Sequence, residues 1–361
     1  MNAHVRNPPT ELEPFRLALP DAAWRRLKLR LDRAVTAGET FDVALAYGLV
    51  PLELSELVDY WRSDFEPDQQ PLSELPWFRA CTDEPSLCFV HVRSPEASAV
   101  PLLLLHGYSG SVAEFRGLLS PLTEPGVRAE GDEAAFHVVC PALPGFGLSA
   151  PVDSARSAAE GCAALMARLG YTRYLVHGSD LGANIALELA ALDPLRVAGL
   201  WVTSVPAYPS EDPLELAALT SQEKSQLARL AELHDELRYH LPESPLEALA
   251  FALRGLDAPR PSESSALRDA LLAGLTLSWS LSDFEARNTL YRASRLRPAP
   301  RSNVPVCVHS YPIDAPSLRR FAEREQRIVE WTEHGQGGFM PALERPKALV
   351  QSLRAWGRNS A

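Results

Sequence analysis

The stretch Gly178-Ser179-Asp180-Leu181-Gly182 decides the fold of this chain, because it joins a predicted strand to a predicted helix. The apolar run at residues 174–177 is typical of a strand, and residues 181–191 have the apolar spacing of a helix. Small residues two positions before and after the aspartate let the backbone and the helix approach closely through a sharp turn. Such a turn presents its middle side chain above the sheet edge, near a helix N-terminus that favours a carboxylate. We therefore predict that Asp180 is a nucleophile; the alternative is a plain helix N-cap.

Strands and helices alternate on both sides of this turn. The predicted strands lie at residues 87–92, 100–105, 136–140, 174–177, 304–308 and 327–330, and the predicted helices at 158–169, 181–191 and 346–356. Alternation of this kind predicts an α/β fold with a mostly parallel central sheet that is covered on both faces.

Residues 206–300 lack this alternation. They contain helical segments only, at residues 214–239, 245–256, 264–281 and 283–295. A helical block inserted into an α/β sheet is predicted to be a cap that shapes a binding cavity and excludes water. We therefore divide the chain into an N-terminal segment at residues 1–95, a core at 96–205 and 301–361, and a cap at 206–300.

The composition limits the partners of the protein. Its 361 residues carry a formal net charge of −11, and nearly all of the basic residues are arginines, which we expect to be solvated at the surface. Nucleic acids and anionic membrane surfaces attract clustered basic charge, so neither is an expected partner. The expected partner is a small-molecule substrate, and the sequence makes no prediction of oligomeric state.

The sequence also favours a cytoplasmic location. The N-terminus lacks an apolar stretch, and the longest apolar run, residues 100–105, is far shorter than the roughly 20 residues that span a bilayer. An odd number of cysteines without metal-ligand spacing favours a reduced compartment and no metal site. Because the sequence also has no glycine-rich phosphate loop, we expect no cofactor. The five cysteines are Cys81, Cys88, Cys140, Cys162 and Cys307.

Two other turns at strand ends would complete a site around Asp180. The run at residues 102–105 leads into a His106-Gly107 turn, which can supply backbone N–H donors to a developing oxyanion. These donors would be the amides of Tyr108 and Leu181, with His106 beside the substrate; the alternative is a glycine-rich turn without a role. After a late strand comes Asp314, placed to orient a catalytic histidine; the alternative is a solvated loop residue.

With these motifs the chain resembles the microsomal-type epoxide hydrolases over nearly its whole length. The resemblance implies an α/β-hydrolase fold with a helical cap and an N-terminal meander around the core, without the membrane anchor that some members carry. The motifs that carry it are Tyr47-Gly48-Leu49-Val50-Pro51-Leu52, Leu57-Val58-Asp59-Tyr60-Trp61-Arg62, Pro76-Trp77-Phe78, His91-Val92-Arg93-Ser94-Pro95, His106-Gly107, Leu143-Pro144-Gly145-Phe146-Gly147 and the Asp180 turn.

The resemblance also implies roles for individual residues. In the family an aspartate attacks an epoxide carbon and forms an ester, while two cap tyrosines hydrogen-bond the epoxide oxygen. A histidine paired with an acid then activates water to cleave the ester. Asp180 matches the nucleophile, Asp314 the acid and Tyr291 one tyrosine. Tyr239 is displaced by about one position from the other tyrosine, and its alternative is an ordinary helix residue.

The family pattern breaks at the histidine. Where the family has Gly-Gly-His-Phe, this chain has Gly337-Gly338-Phe339-Met340, so Phe339 occupies the histidine position. Phenylalanine has no proton to move. The nearest substitute is His334, which would need the intervening loop to slip. The family's tryptophan after the nucleophile is Leu181 here, and its Trp-Pro after the His-Gly turn is Tyr108-Ser109, so the pocket wall is altered as well.

Three hypotheses follow from the missing imidazole. Without an activated water the Asp180 ester would persist, so we favour a non-hydrolytic reaction that cyclises, isomerises or rearranges an epoxide, with Tyr291 as the acid. The second hypothesis is hydrolysis to a diol with His334 as a displaced base. The third is a catalytically silent binding protein. The cap is rich in Leu and Ala, so we expect a largely apolar substrate that contacts Trp279 and Phe339, in a specialised metabolic setting.

Overall fold

A central sheet of nine strands organises the chain. The computed structural model describes residues 12–69, 71–80, 86–124, 134–257, 264–295 and 297–360. The strands within them are β1 (Leu12–Phe15), β2 (Trp77–Ala80), β3 (Leu87–Val92), β4 (Val100–Leu105), β5 (Phe136–Pro141), β6 (Tyr174–Gly178), β7 (Val197–Val202), β8 (Ser302–Ser310) and β9 (Gln326–Glu333). The strand order is β1-β2-β3-β5-β4-β6-β7-β8-β9.

The sheet is mostly parallel, as the alternation of elements predicts. The pairs from β5 through β4, β6, β7 and β8 to β9 are all parallel, whereas β1, β2, β3 and β5 pair antiparallel at one edge. Parallel neighbours need crossover connections, and these are mainly helices.

The helices flank the sheet or are inserted into it. They are α1 (Asp21–Thr36), α2 (Glu39–Ala46), α3 (Pro51–Ser63), α4 (Arg116–Thr123), α5 (Ala155–Arg168), α6 (Leu181–Leu192), α7 (Pro213–Ala217), α8 (Ser221–Tyr239), α9 (Pro245–Arg254), α10 (Ser265–Leu281), α11 (Phe284–Arg295), α12 (Arg319–Glu325), α13 (Pro341–Glu344) and α14 (Pro346–Ser360). Helices α7 to α11, here called the inserted helices, lie between β7 and β8 in the chain.

Both faces of the sheet are buried. In β4 the side chains of Leu102 and Leu104 belong to one apolar core, and those of Leu103 and Leu105 to the other, since alternate residues of a strand point to opposite faces. All four leucines are fully buried. The four described cysteines are buried and unpaired by disulfides, whereas Cys81 lies outside the described residues.

The N-terminal helices pack against the inserted ones. Trp61 of α3 is fully buried, and its indole N–H donates to the Thr276 hydroxyl of α10 at 2.8 Å. The first 92 residues also supply the antiparallel sheet edge, so this segment contacts both the sheet and the inserted helices. The proposed segment limits at residues 95, 205 and 300 stay a prediction. None of the described helices is long and apolar enough to cross a membrane.

Candidate active site

The sharp turn after β6 holds Asp180 in an uncommon backbone conformation. Its φ is 49° and its ψ is −115°, and it is the sole non-glycine residue with positive φ among the described residues. The flanking glycines are required, because a Cβ on Gly178 would lie 2.3 Å from the Gly182 carbonyl oxygen, and one on Gly182 would lie 2.2 Å from that of Leu105. Strain of this kind is typical of functional positions. The Asp180 side chain makes no capping bond to α6, which argues against the plain N-cap alternative.

Both carboxylate oxygens of Asp180 accept hydrogen bonds. The Tyr108 amide donates to Oδ2 at 2.8 Å, and the Tyr291 hydroxyl donates to Oδ1 at 2.6 Å. The Asp180 amide in turn donates to Thr203 Oγ1 at 3.2 Å. Leu181, the other predicted oxyanion donor, is the first residue of α6, where amides lack intrahelical partners. The carboxylate is 3% exposed, so its charge is balanced by protein groups rather than by bulk water.

Helix α11 supplies the residues that face Asp180 from the inserted helices. Asn288, Tyr291 and Arg295 are spaced three and four residues apart, so they share one side of the helix. The Tyr291 ring stacks on that of Tyr108 with centroids 4.4 Å apart, and the Tyr108 hydroxyl donates to Asn288 Oδ1 at 2.5 Å. Burial, with the Asp180 charge, raises the pKa of Tyr291 well above its usual value, so the phenol is a neutral proton donor.

Arg295 is the functional candidate that the sequence analysis missed. Its Nη1 lies 3.9 Å from Asp180 Oδ1, and its Nη2 lies 3.9 Å from Asp314 Oδ1. Burial alone would lower the pKa of Arg295, but Tyr291, Asp180 and Asp314 together raise it above its usual value. A permanent cation therefore lies between the two acids. Arg295 lies one helical turn after Tyr291, and this spacing is the sequence feature that could have identified it as a site residue.

Asp314 is buried beside this guanidinium. It is 3% exposed, which is inconsistent with a solvated loop residue. Its Oδ1 accepts a hydrogen bond from the Ala315 amide at 2.6 Å, whereas its Oδ2 is buried without a partner among the described residues. Burial raises the pKa of Asp314, and the Arg295 charge opposes that shift. A side-chain hydrogen bond from Thr203 also lowers the pKa of Asp314, so this acid is held by more groups than Ala315 and Arg295.

A cavity of about 300 Å³ opens over these groups. Asp180, Tyr291, Arg295 and Asp314 line its floor together with Phe339. No histidine is among the described residues that line it. The remaining wall is mixed: apolar residues Leu233, Phe251, Gly255, Ile313 and Ala315, and charged residues Arg229, Glu232, Glu236 and Arg254.

Phe339 is one of the residues that line the cavity. Its amide donates to the Gly255 carbonyl at 3.2 Å, and its ring covers Gly255 so closely that a Cβ there would lie 1.7 Å from Cε1. Two neighbouring amides, of Gly338 and Met340, donate to the Glu344 carboxylate at 2.8 and 3.1 Å. The loop that carries the ring is therefore tied to both the inserted helices and the core.

His334 does not line this cavity. Its Nε2 is 3.1 Å from His309 Nδ1, and its ring stacks on Tyr311 with centroids 4.5 Å apart. The structure therefore does not bring His334 to Asp180, which argues against a displaced base. The loop slip that this hypothesis requires is opposed by the hydrogen bond from the Gly337 amide to Asp257 Oδ2 at 2.7 Å.

Two predicted substrate contacts, His106 and Trp279, are not among the residues that line this cavity. His106 Nδ1 pairs with the Gly107 carbonyl at 2.8 Å, and its Nε2 accepts the Leu143 amide at 3.1 Å, so the ring ties two loops together. Burial lowers the pKa of His106 to about 4, which keeps it neutral. Trp279 stacks on Phe284 at 5.3 Å and is not among the cavity-lining residues. The Tyr239 side chain lies outside the described part of the chain.

Comparison with known proteins identifies the family of this chain. Residues 12–115 match the family described as "Epoxide hydrolase N terminus", and residues 100–298 match "alpha/beta hydrolase fold". A Stigmatella aurantiaca (strain DW4/3-1) protein named "Putative epoxide hydrolase" is 30% identical over 373 residues, which cover 95% of this chain and 84% of that protein.

Solved structures give the same fold. The Aspergillus niger epoxide hydrolase matches with a TM-score of 0.73 at 24% identity, over 97% of both chains. The juvenile hormone epoxide hydrolase of the silkworm Bombyx mori matches with a TM-score of 0.69 at 23% identity, over 98% of this chain and 94% of that one. At these identities the structural likeness shows the fold alone, and the family follows from the sequence matches. The chain belongs to the epoxide hydrolase family of α/β-hydrolase-fold enzymes.

Proposed function

We propose that the protein opens the epoxide of a small molecule at Asp180 and completes the reaction without hydrolysis, by cyclisation, isomerisation or rearrangement. One observation carries the proposal. The Tyr291 hydroxyl donates to Asp180 Oδ1 at 2.6 Å in a cavity whose described lining contains Arg295 and Phe339 but no histidine. The site therefore has a nucleophile or base and a proton donor, but no imidazole to activate water is among the described lining residues.

Cyclisation illustrates how these groups complete a reaction. The epoxide oxygen accepts a hydrogen bond from Tyr291, and a hydroxyl of the same substrate attacks an epoxide carbon. As the carbon–oxygen bond breaks, Tyr291 gives its proton to the epoxide oxygen, and Asp180 takes the proton of the attacking hydroxyl. The proton then returns from Asp180 to Tyr291 along their hydrogen bond. The product is an isomer of the substrate, and no water is consumed.

Hydrolysis lacks an equivalent route. Release of an alkyl ester from Asp180 needs a general base, which contributes about 10²–10⁴-fold in typical enzymes. The pKa of Arg295 is raised above its usual value, so this residue stays charged and accepts no proton. Phe339 has no titrating group. We infer that an ester with a simple epoxide, which has no internal nucleophile, persists.

The cavity favours a substrate with an apolar body and a polar end. Phe251, Phe339 and Leu233 offer apolar surface, in line with the largely apolar ligand expected from the sequence. Arg254 and Glu236, paired at 2.5 Å, add charge to the same wall. A hydroxylated epoxide meets both requirements, since its hydroxyl is also the internal nucleophile that cyclisation needs.

Two substrates test the proposal in ¹⁸O-labelled water. With a simple aryl epoxide, the expected result is a stoichiometric adduct on the peptide that contains Asp180, detected by intact mass and peptide mapping. With hydroxy-epoxides, the expected product is a cyclic ether without ¹⁸O. The Asp180→Asn variant is the control and forms neither. Labelled diol released over many turnovers would overturn the non-hydrolytic proposal, and binding without reaction of any epoxide would favour a silent binding protein.

A further inference from the structure

We propose that Arg295 is a positioning residue that keeps Asp180 and Asp314 ionised side by side, as a fixed charge in place of a titrating imidazole. The proposal rests on the proposed function only in taking Asp180 as the reacting group. Nothing in the family resemblance assigns a role to an arginine at this position. Its support is the geometry of three buried groups at the floor of one cavity.

The Arg295 guanidinium lies near two carboxylates. The distances are 3.9 Å from Nη1 to Asp180 Oδ1 and 3.9 Å from Nη2 to Asp314 Oδ1. All three side chains are at most 5% exposed, so solvent screens their charges poorly. Two buried carboxylates this near to each other repel, and without a cation one of them would take up a proton. A shared arginine removes the repulsion without adding a group that titrates near neutral pH.

The guanidinium is held in place independently of the acids. Nη1 donates to Asn184 Oδ1 and to Ser204 Oγ, each at 3.3 Å. Asn184 is fixed in turn, because its amide donates to the Ser294 carbonyl at 2.6 Å. These contacts join α6, the segment after β7 and the end of α11. The charge is therefore oriented by neutral partners, as a positioning role requires.

The charged and titratable groups around Arg295 come from four elements. Asp180 belongs to the turn before α6, Asp314 to the loop after β8, Tyr291 to α11, and Tyr208 to the segment after β7. Glu114 is a further buried acid that interacts with the Asp180 charge, and burial raises its pKa well above the usual value. Among these groups Arg295 is the one cation. Its removal takes away the one described cation that lies within ion-pair distance of Asp180 and Asp314.

A measurement of thermal stability, without any substrate, tests the proposed role of Arg295 directly. In Arg295→Met the pKa of the acid pair rises, and an acid whose folded pKa is raised destabilises the fold progressively as pH rises through that pKa. The expected loss of Tm relative to the unchanged protein is therefore about twice as large or more near pH 8 as near pH 5. An equal loss at both pH values would show a merely structural role and overturn the proposal.

Arg287 provides the matched control. It is on the same helix and 2% exposed, but it packs over the rings of Tyr108, Phe146 and Trp279, and no described carboxylate lies within ion-pair distance of it. Arg287→Met should therefore lower the Tm by a similar amount at both pH values. If Arg295→Met does not fold, Arg295→Met with Asp314→Asn should fold, because one of the two repelling charges is gone. Failure of the double variant to recover stability would also overturn the proposal.

The pH profile of the chemical step gives a second readout. Formation of the Asp180 adduct with an aryl epoxide should be independent of pH from about 5.5 to 8.5 in the unchanged protein, because the guanidinium that faces both acids keeps its charge over this range. In Arg295→Met the rate should fall at least about tenfold toward the acidic end as the pair takes up a proton, and Arg295→Lys should restore the flat profile. A uniform fall at every pH contradicts the proposal. If no protein forms an adduct, the proposed function fails, and the Tm comparison still decides the role of Arg295.

Discussion

Replacing Phe339 by histidine should restore the half of the reaction that this site lacks. Phe339 lines the cavity with Asp180 and Asp314, and its amide is anchored to the Gly255 carbonyl at 3.2 Å. The backbone of residue 339 should therefore stay in place. The buried Oδ2 of Asp314 has no hydrogen-bond partner among the described residues, so it is available to accept a proton from an imidazole.

The expected magnitudes follow from these contacts. Full burial of a phenylalanine contributes about 1.5–3 kcal/mol, and Phe339 is partly exposed, so about 1 kcal/mol of stability is lost on replacement. A hydrogen bond to the charged, buried Asp314 contributes about 1.5–3 kcal/mol, which offsets the loss. Stability should therefore change little. A working general base lowers the barrier to ester hydrolysis by about 3–5 kcal/mol, equivalent to about 10²–10⁴-fold in rate.

Decay of the Asp180 adduct is the assay. The adduct is formed with an aryl epoxide, excess reagent is removed, and loss of the added mass is followed over time. Decay in Phe339→His should be faster than in the unchanged protein by the factor given above. It should also accelerate with rising pH as the imidazole loses its proton, near its usual pKa of about 6.5, because the Arg295 charge lowers that pKa and the Asp314 carboxylate raises it.

Phe339→Asn is the control, because asparagine is polar but accepts no proton near neutral pH. Its adduct should persist as long as that of the unchanged protein. Equal decay rates in the histidine and asparagine variants, with both folded, would refute the reasoning. Rapid decay of the adduct in the unchanged protein would also refute the reasoning. The lifetime of the adduct would then not depend on the absence of a histidine at residue 339.

Three further substitutions probe the same site. Tyr291→Phe should slow epoxide opening by about 10²–10⁴-fold, because a proton donor is lost, and initial rates of epoxide consumption measure this. Gly182→Ala should destabilise the fold by about 1–3 kcal/mol or more in urea denaturation, because its Cβ would lie 2.2 Å from the Leu105 carbonyl, whereas Gly117→Ala has open space and serves as control. His334→Ala should leave epoxide consumption unchanged, and a loss beyond about tenfold would revive the displaced-base hypothesis.

The sequence predicted those parts of the fold that depend on local signals. The strand-turn-helix at Asp180 is recognisable because glycines at 178 and 182 are needed wherever backbones approach so closely. Strand β7, Val197–Val202, was missed because it contains Gly199, which weakens a strand pattern. Gly199 is there for a tertiary reason: a Cβ would lie 3.1 Å from the Trp356 ring of α14. No local pattern carries that information.

The residues of the candidate site likewise fall into those that a local motif predicts and those that no local pattern reveals. Asp180, Asp314 and Tyr291 follow from motifs at fixed places in the fold, and the structure brings them together. Arg295 was missed because the chain is rich in arginine and an arginine near a helix end is usually solvated. Trp279 was predicted to contact the substrate, but it is not among the residues that line the cavity with Asp180, because a helical position alone does not reveal what a side chain faces.

The proposed function needs a change in only a few side chains of this site. The Tyr108 amide and the Tyr291 hydroxyl both donate to the Asp180 carboxylate, as epoxide opening at that carboxylate would require. A guanidinium, which holds its charge permanently, lies near Asp180 and Asp314, and no histidine is among the described residues that line the cavity. On this proposal the site opens an epoxide with the Asp180 carboxylate and a proton donor, but it is not regenerated by water. Turnover would then depend on a nucleophile that the substrate brings with it.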